Sequence, residues 1–207
     1  MGNPEENALN GEVKDYFQTL ANVGIHNAAT GFSQFLGINL QVTQPQVKMV
    51  PFSEIPGMFG GPEMEAVGIY LKVEGDFPGQ IILVLPYSKA IELVALLMEV
   101  PQDSIQSLGT MERSALGELG NMTGTFFLNS MANLTGLSVR PSPPAVMVDM
   151  VGAMLDVIVA TSSGLGSKVL MMQATFVYGE RKAETDFWVI PDLNTLEYLA
   201  KKANAAV

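Results

Sequence analysis

Residues 109–136 read GTMERSALGELGNMTGTFFLNSMANLTG. Leu116, Leu119, Met122 and Phe126 recur at helical spacing, and Gly136 follows where a helix would need a stop. The pattern predicts a helix from about Gly109 to Leu134. The same plan occurs 99 residues earlier, and that echo decides the architecture. At this offset Leu20 faces Leu119, Asn22 faces Asn121, Gly37 faces Gly136, Pro45 faces Pro144 and Val47 faces Val146. The matches fall on residues with special backbone or surface roles: a helix-stop glycine, a proline in an extended arm, an asparagine on a helix face.

Working outward, the first half predicts a helix from Gly11–Lys14 to about Leu36. An edge strand or extended arm follows over Leu40–Val50, because Pro45 cannot donate to a central ladder. Pro51, Pro56, Gly57, Gly60, Gly61 and Pro62 mark a loop. Strands at Ala66–Glu74 and Gln80–Leu85 are joined by the turn Gly75–Gly79, and Ser88 is the expected N-cap of a helix through Val100. The second half repeats this with a proline-rich arm at Arg140–Pro144, an apolar helix at Val148–Ala160 and a loop at Ser162–Ser167. Strands at Lys168–Tyr178 and Lys182–Ile190 follow, then a last helix at Asn194–Ala205. Strand–proline–helix occurs twice, at Leu85–Pro86 and Ile190–Pro191. The fold class is α+β: two pseudo-symmetric halves sharing a central antiparallel β-sheet with long helices packed on it. Residues 1–11 are expected to be a flexible N-terminus. Residues 12–207 are expected to form a single domain of two repeats, about 12–105 and 106–207, since no linker divides them.

Hydrophobic residues make up 48 % of the 207 and charged residues 15 %, so a sizeable core is expected and disorder is not. The formal net charge is −10 with 11 Lys and Arg, none of them in a run, which argues against nucleic acid and anionic membrane as partners. The absence of cysteine excludes thiolate chemistry and disulfides and is compatible with a cytoplasmic location. Residues 1–14 lack the basic start and apolar run of a signal peptide. No apolar run approaches the roughly 18 residues of a membrane span.

On the second long helix Ser114, Glu118 and Asn121 lie at i, i+4 and i+7, within a stripe about 60° wide. Alone, such a stripe is what any solvated helix surface looks like. Gly117 and Gly120 fall in the same turns and cost about 1 kcal/mol each relative to alanine, so a close approach is expected there, by another backbone or in helix–sheet packing. His26, the one histidine, shares a stripe with Asp15 and Asn22, but its register partner is Thr125, which argues against an acid–base role. Trp188 and the methionines read as core. The Gly57–Pro62 segment lacks the Lys and Ser/Thr of a phosphate-binding loop.

Extended to the arm, the pattern becomes specific. Ser114-x3-Glu118-x2-Asn121 is followed after 22 residues by Pro144. This resembles the motif of the CheC/CheX/FliY phosphatases: Asp or Ser, three residues, Glu, two residues, Asn, 22 residues, Pro. Asp15, Asn22 and Pro45 repeat it in the first half, and the segments NVGIHNAATGFSQFLG, VKMVPFSEIP and DMVGAMLDVIVA are also similar to the family. One departure stands out. Thr19 occupies the glutamate position of the first motif, so two unequal sites are expected.

The resemblance implies hydrolysis of the aspartyl phosphate of a CheY-type response regulator in chemotaxis. Asn121, and to a lesser extent Asn22, would orient a water for in-line attack. Glu118 would pair with a receiver lysine, with Ser114 and Asp15 as further partner contacts and Asp149 as a contact to a second partner. No metal or other cofactor is expected on this chain; Mg2+ would be supplied by the response regulator. The receptor deamidase CheD is a possible second partner, docking on Asp149–Ala160. The alternative is a non-catalytic adaptor or flagellar-switch component that binds phosphorylated CheY and also docks CheD.

Overall fold

The computed structural model describes residues 11–37, 39, 41–43, 45–76, 78–161, 168–179 and 181–191. The expected last helix, the Ser162–Ser167 loop and residues 1–10 lie outside them. In chain order the elements are α1 (Gly11–Leu36), β1 (Gln41–Val42), β2 (Gln46–Pro51), α2 (Ile55–Met58), β3 (Glu65–Gly75), β4 (Gly79–Pro86), α3 (Tyr87–Leu97), α4 (Thr110–Thr135), β5 (Val139–Pro141), β6 (Ala145–Met150), α5 (Val151–Thr161), β7 (Lys168–Tyr178) and β8 (Arg181–Pro191). Short 3-10 turns occupy Phe52–Glu54 and Gln102–Ser104.

The repeat is visible in the element bounds. The offset of 99 residues carries α1 onto α4 and β2 onto β6. It widens to 103 between β3 and β7, because α5 stands where the first half has only the turn at Phe52–Glu54 and the four-residue α2. Both long helices stop at a left-handed glycine, Gly37 with φ 66° and Gly136 with φ 73°. At Gly136 the amide donates to the Ala132 carbonyl at 2.7 Å, the C-terminal closure a residue without Cβ adopts most easily.

All eight described strands are antiparallel and form one sheet in the order β1-β7-β8-β4-β3-β5, with β2 also on β7 and β6 also on β3. The centre is β4 against β8. The arms are exchanged between halves. The first-half arm, β1 and β2, lies on the second half's β7, and the second-half arm, β5 and β6, lies on the first half's β3.

Side chains alternate across this sheet and are buried on both faces. Val67, Ile69, Leu71, Ile81, Leu83, Leu85, Leu170 and Met172 face the layer of long helices. Ala66, Ile82, Val84, Val169 and Met171 face α5 with its Met154, Leu155 and Ile158. Two-sided burial explains why Ile81–Leu85 is apolar throughout rather than alternating. It also gives each fully buried Leu or Ile there about 1.5–3 kcal/mol of transfer free energy. The helices α1 and α4 pack on each other, with Phe127 against Gly24 and Phe126 against Gly31. The Asn27 side-chain amide donates to Ser130 Oγ at 3.1 Å across the same seam.

Several expectations need correction. Ser88 does not cap α3; the helix starts at Tyr87 behind Pro86, with no side-chain cap. Val148–Met150 belongs to β6 rather than to a helix, because Val148 pairs with Val67 and packs into the helix-side core. The helix that follows starts only at Val151, where its first amides donate to the Met64 and Pro62 carbonyls at 2.9 Å each. The methionines divide: Met131, Met154, Met171 and Met172 are core, whereas Met111 is exposed. Trp188 lies on β8, with its side chain outside the described part. No helix among the described residues is long and apolar enough to cross a membrane.

Candidate active site

The α4 stripe is presented as its spacing predicts. Leu116, Gly117, Leu119 and Gly120 are buried, while Ser114 and Glu118 are exposed and Asn121 is half-buried. Gly120 lets the helix sit directly on β3. A methyl there would overlap Ile69 Cγ2, and one at Gly124 would lie 3.1 Å from Leu71 Cδ2. The neighbour that requires these glycines is thus an aliphatic side chain of the sheet, and helix–sheet packing, not a partner's backbone, accounts for them. Gly117 differs. A methyl at this position would make ordinary contacts, 3.6 Å to Val146 Cγ2 and 3.8 Å to Pro144 Cγ. Pro144 of the motif therefore lies beside the turn that carries Glu118 and Asn121. Its arm is fastened to β3 rather than to α4, through Ser142 N–H to the Lys72 carbonyl at 2.8 Å and Lys72 N–H to Ser142 Oγ at 3.0 Å.

No described residue hydrogen-bonds the side chains of Ser114, Glu118 or Asn121. A carboxylate and a carboxamide stand one turn apart on an open face, with both amide atoms of Asn121 available. A carboxamide can accept from a water with its oxygen and donate with its nitrogen, whatever the pH. The carboxylate supplies a fixed negative charge for a cationic partner group.

The first-half counterpart is built differently. Asn22 is half-buried and Thr19 exposed, whereas the side chain of Asp15 lies outside the described part. Sequence reasoning missed Gln18. Its Nε2 donates to the buried Pro45's carbonyl at 2.6 Å and to Asn22 Oδ1 at 3.1 Å, and its Oε1 accepts from Val47 N–H at 3.3 Å. The signal was available, because the 99-residue offset sets Gln18 against Gly117, one position before the glutamate of the motif. His26 Nδ1 lies 2.9 Å from the Asn22 carbonyl of its own helix and is exposed, a local helix contact.

Asp149 does not join either site. It pairs with Ala66 on β6, and its neighbour in the alternation, Met147, packs on the α5 side of the sheet. Asp149 is therefore separated from Glu118 and Asn121 by the sheet itself. Its Oδ1 accepts from Met150 N–H at 2.8 Å at the turn into α5. Among the described residues, no three His, Asp or Glu side chains are grouped as a metal site needs.

The CheC-like family matches residues 111–148, the span from α4 through Asn121 and Pro144 into β6. CheY-P phosphatase CheC of Bacillus subtilis is 28 % identical over 197 residues, covering 93 % of this chain and 94 % of that protein. The crystal structure of Thermotoga maritima FliY superposes with a TM-score of 0.74 at 20 % identity, covering 95 % of this chain and 98 % of that one. The chain is similar to the CheC/CheX/FliY family in its motif and in its fold. A third likeness is to the Borrelia burgdorferi structure of CheX in complex with CheY, BeF3 and magnesium, with a TM-score of 0.50 and 15 % identity over 82 % of this chain and 96 % of that one. Within this fold, the exchanged arms bring each motif's proline beside the helix that bears its asparagine.

Proposed function

We propose that this protein is a phosphatase that removes the aspartyl phosphate of a CheY-type response regulator and so ends its signal in chemotaxis. One observation carries the reading. Glu118 and Asn121 stand together on an open face of α4, next to Pro144, in a chain that aligns over 93 % of its length with a CheY-P phosphatase.

Hydrolysis of an acyl phosphate transfers the phosphoryl group from the aspartate oxygen to water, giving aspartate and inorganic phosphate. The transition state carries its charge on phosphoryl oxygens, so positioning and charge stabilisation matter more than covalent help from the protein. Asn121 fits that need. Its Oδ1 accepts a hydrogen from the attacking water and holds it in line, while Nδ2 donates to a phosphoryl oxygen. A carboxylate inserted in its place would repel the phosphoryl group. Glu118, one turn away, meets a lysine of the receiver and fixes the docking angle, with Ser114 at the rim of the same face. Asn22 with Asp15 is the weaker second site, since Thr19 supplies no carboxylate. The magnesium ion belongs to the receiver, and this chain's residues act on the water and on the docking.

The acting surface is α4, and α5 packs on the opposite side of the sheet. There α5 exposes Val157 at 48 % and Val159 at 54 %, and it is the candidate surface for a CheD-type deamidase. Both roles place the protein in the cytoplasm with its receiver.

The deciding experiment follows phosphate loss from a phosphorylated CheY-type receiver with and without this protein. Acceleration that depends on Asn121 supports the phosphatase. Binding of the phosphorylated receiver without acceleration would sink it in favour of an adaptor. Repeating the assay with a CheD-type partner present separates an enzyme that is weak alone from an inactive one.

A further inference from the structure

We infer that Gln18 is a built-in lock on the first-half site, tying the Asn22 carboxamide and the Pro45 arm into one cluster that keeps this asparagine from engaging a receiver. The inference rests on the phosphatase reading above.

The direction of the Gln18 amide follows from its backbone partners. The Pro45 carbonyl can only accept, so the atom 2.6 Å from it is the nitrogen; the Val47 N–H can only donate, so the atom 3.3 Å from it is the oxygen. With Nε2 so placed, the Asn22 atom 3.1 Å away must be an acceptor, Oδ1. This is the atom that, in Asn121, would accept from the attacking water. Gln18 cannot turn aside alone, because both ends of its amide are held by the backbone of the arm leading into β2. The lock therefore opens only if the arm shifts or the side chain is replaced.

The second half cannot form this cluster. Gly117 occupies the equivalent position and offers no side chain, so Pro144 and Val146 face bare helix. The two asparagines are alike in exposure, and the difference between them lies in the residue four positions earlier. Two separate features thus silence the first site. Thr19 removes the docking carboxylate, and Gln18 holds the catalytic amide. Restoring the carboxylate alone should not restore activity.

The test uses the full chain in an Asn121→Ala background, with a CheY-type receiver phosphorylated by acetyl phosphate. Adding Thr19→Glu should leave phosphate release within about twofold of Asn121→Ala. Adding Gln18→Ala to that pair should raise release at least about fivefold, the scale of one released hydrogen bond. A further Asn22→Ala should erase the gain. Gln18→Met, which keeps length and helix propensity but lacks the donor, should behave as Gln18→Ala. In the wild type, the Asn22 side-chain amide resonances should shift on Gln18→Met while the surrounding backbone resonances of α1 hold. The lock is overturned if Thr19→Glu alone restores the rate, or if neither Gln18 variant adds to it while its thermal midpoint stays that of the parent. An unmodified protein that does not accelerate release at all overturns the phosphatase reading and this role with it; an active one with an unresponsive Gln18 overturns the lock alone.

Discussion

The turn at Gln18–Asn22 of α1 and the turn at Gly117–Asn121 of α4 occupy matching frames: a 26-residue helix, a left-handed glycine stop, an exchanged arm and a proline beside the asparagine. They differ in what stands between helix and arm. At Gly117 nothing does, and Asn121 keeps both amide atoms free of described partners. At Gln18 a side chain spans the gap and takes up the Asn22 oxygen. A shared backbone frame thus leaves function undetermined, because one residue on the buried flank decides whether the polar face is available.

The sharpest break of the comparison is to remove each asparagine. Asn121→Ala should lower receiver dephosphorylation by roughly 10–100-fold, as losing one positioned transition-state partner does, with the fold retained. Asn22→Ala should cost less than about twofold. Initial rates of phosphate release from a phosphorylated receiver decide it. A larger loss at Asn22 would reverse the ranking of the two sites.

Next in size is the transfer of the first-half feature to the second. Gly117→Gln has room, since the first added carbon meets Pro144 and Val146 at ordinary contact distances. The new amide should reach the arm and Asn121, reducing activity by about tenfold while thermal stability stays the same or rises through better helix propensity. Full activity in a folded Gly117→Gln protein would detach the lock from the inequality of the sites.

Glu118→Gln keeps shape and removes charge. With docking as its role, the loss should appear mainly as a higher KM, about three- to tenfold, with kcat little changed. The wild-type KM should rise with ionic strength and that of Glu118→Gln should rise less, because the charge being screened is gone. A loss confined to kcat would place Glu118 in the chemistry instead.

Much of this was legible before any coordinates. The long helices, their glycine stops, both hairpins and the polar stripe follow from periodicity and from residues with restricted backbones, which act locally. The exchange of arms was not legible, because strand partners depend on contacts far apart in the chain, and Pro45 and Pro144 read only as edges. Helix α5 was begun three residues early for a related reason: Val148 and Met150 suit either state, and pairing of β6 with β3 decides for strand. Gln18 was marked by its register partner Gly117, but what its side chain does was not legible, because its hydrogen bonds reach an arm 27 and 29 residues away.

The smallest functional effect is expected at the glycines, and it separates packing from chemistry on α4. At Gly120 an added methyl overlaps Ile69, itself fully buried and stiff at its branched carbon, so the helix must lift from β3. Overpacking of this kind costs about 1–3 kcal/mol, of which about 1 kcal/mol is offset by helix propensity. Gly120→Ala should therefore lower the thermal midpoint, by up to about 8 °C in a chain of this size. At Gly117 the same methyl finds open contact distances and keeps the propensity gain, so Gly117→Ala should hold or raise the midpoint with activity within about twofold. Ala21, the register partner of Gly120, shows that a methyl is tolerated at this level of the frame when the facing residue permits it, since it is completely buried in the core of α1. Calorimetry on the two variants decides the matter. A stable Gly120→Ala with an unstable Gly117→Ala would mean that the arm beside Pro144, rather than the sheet under Ile69, sets how closely α4 must pack.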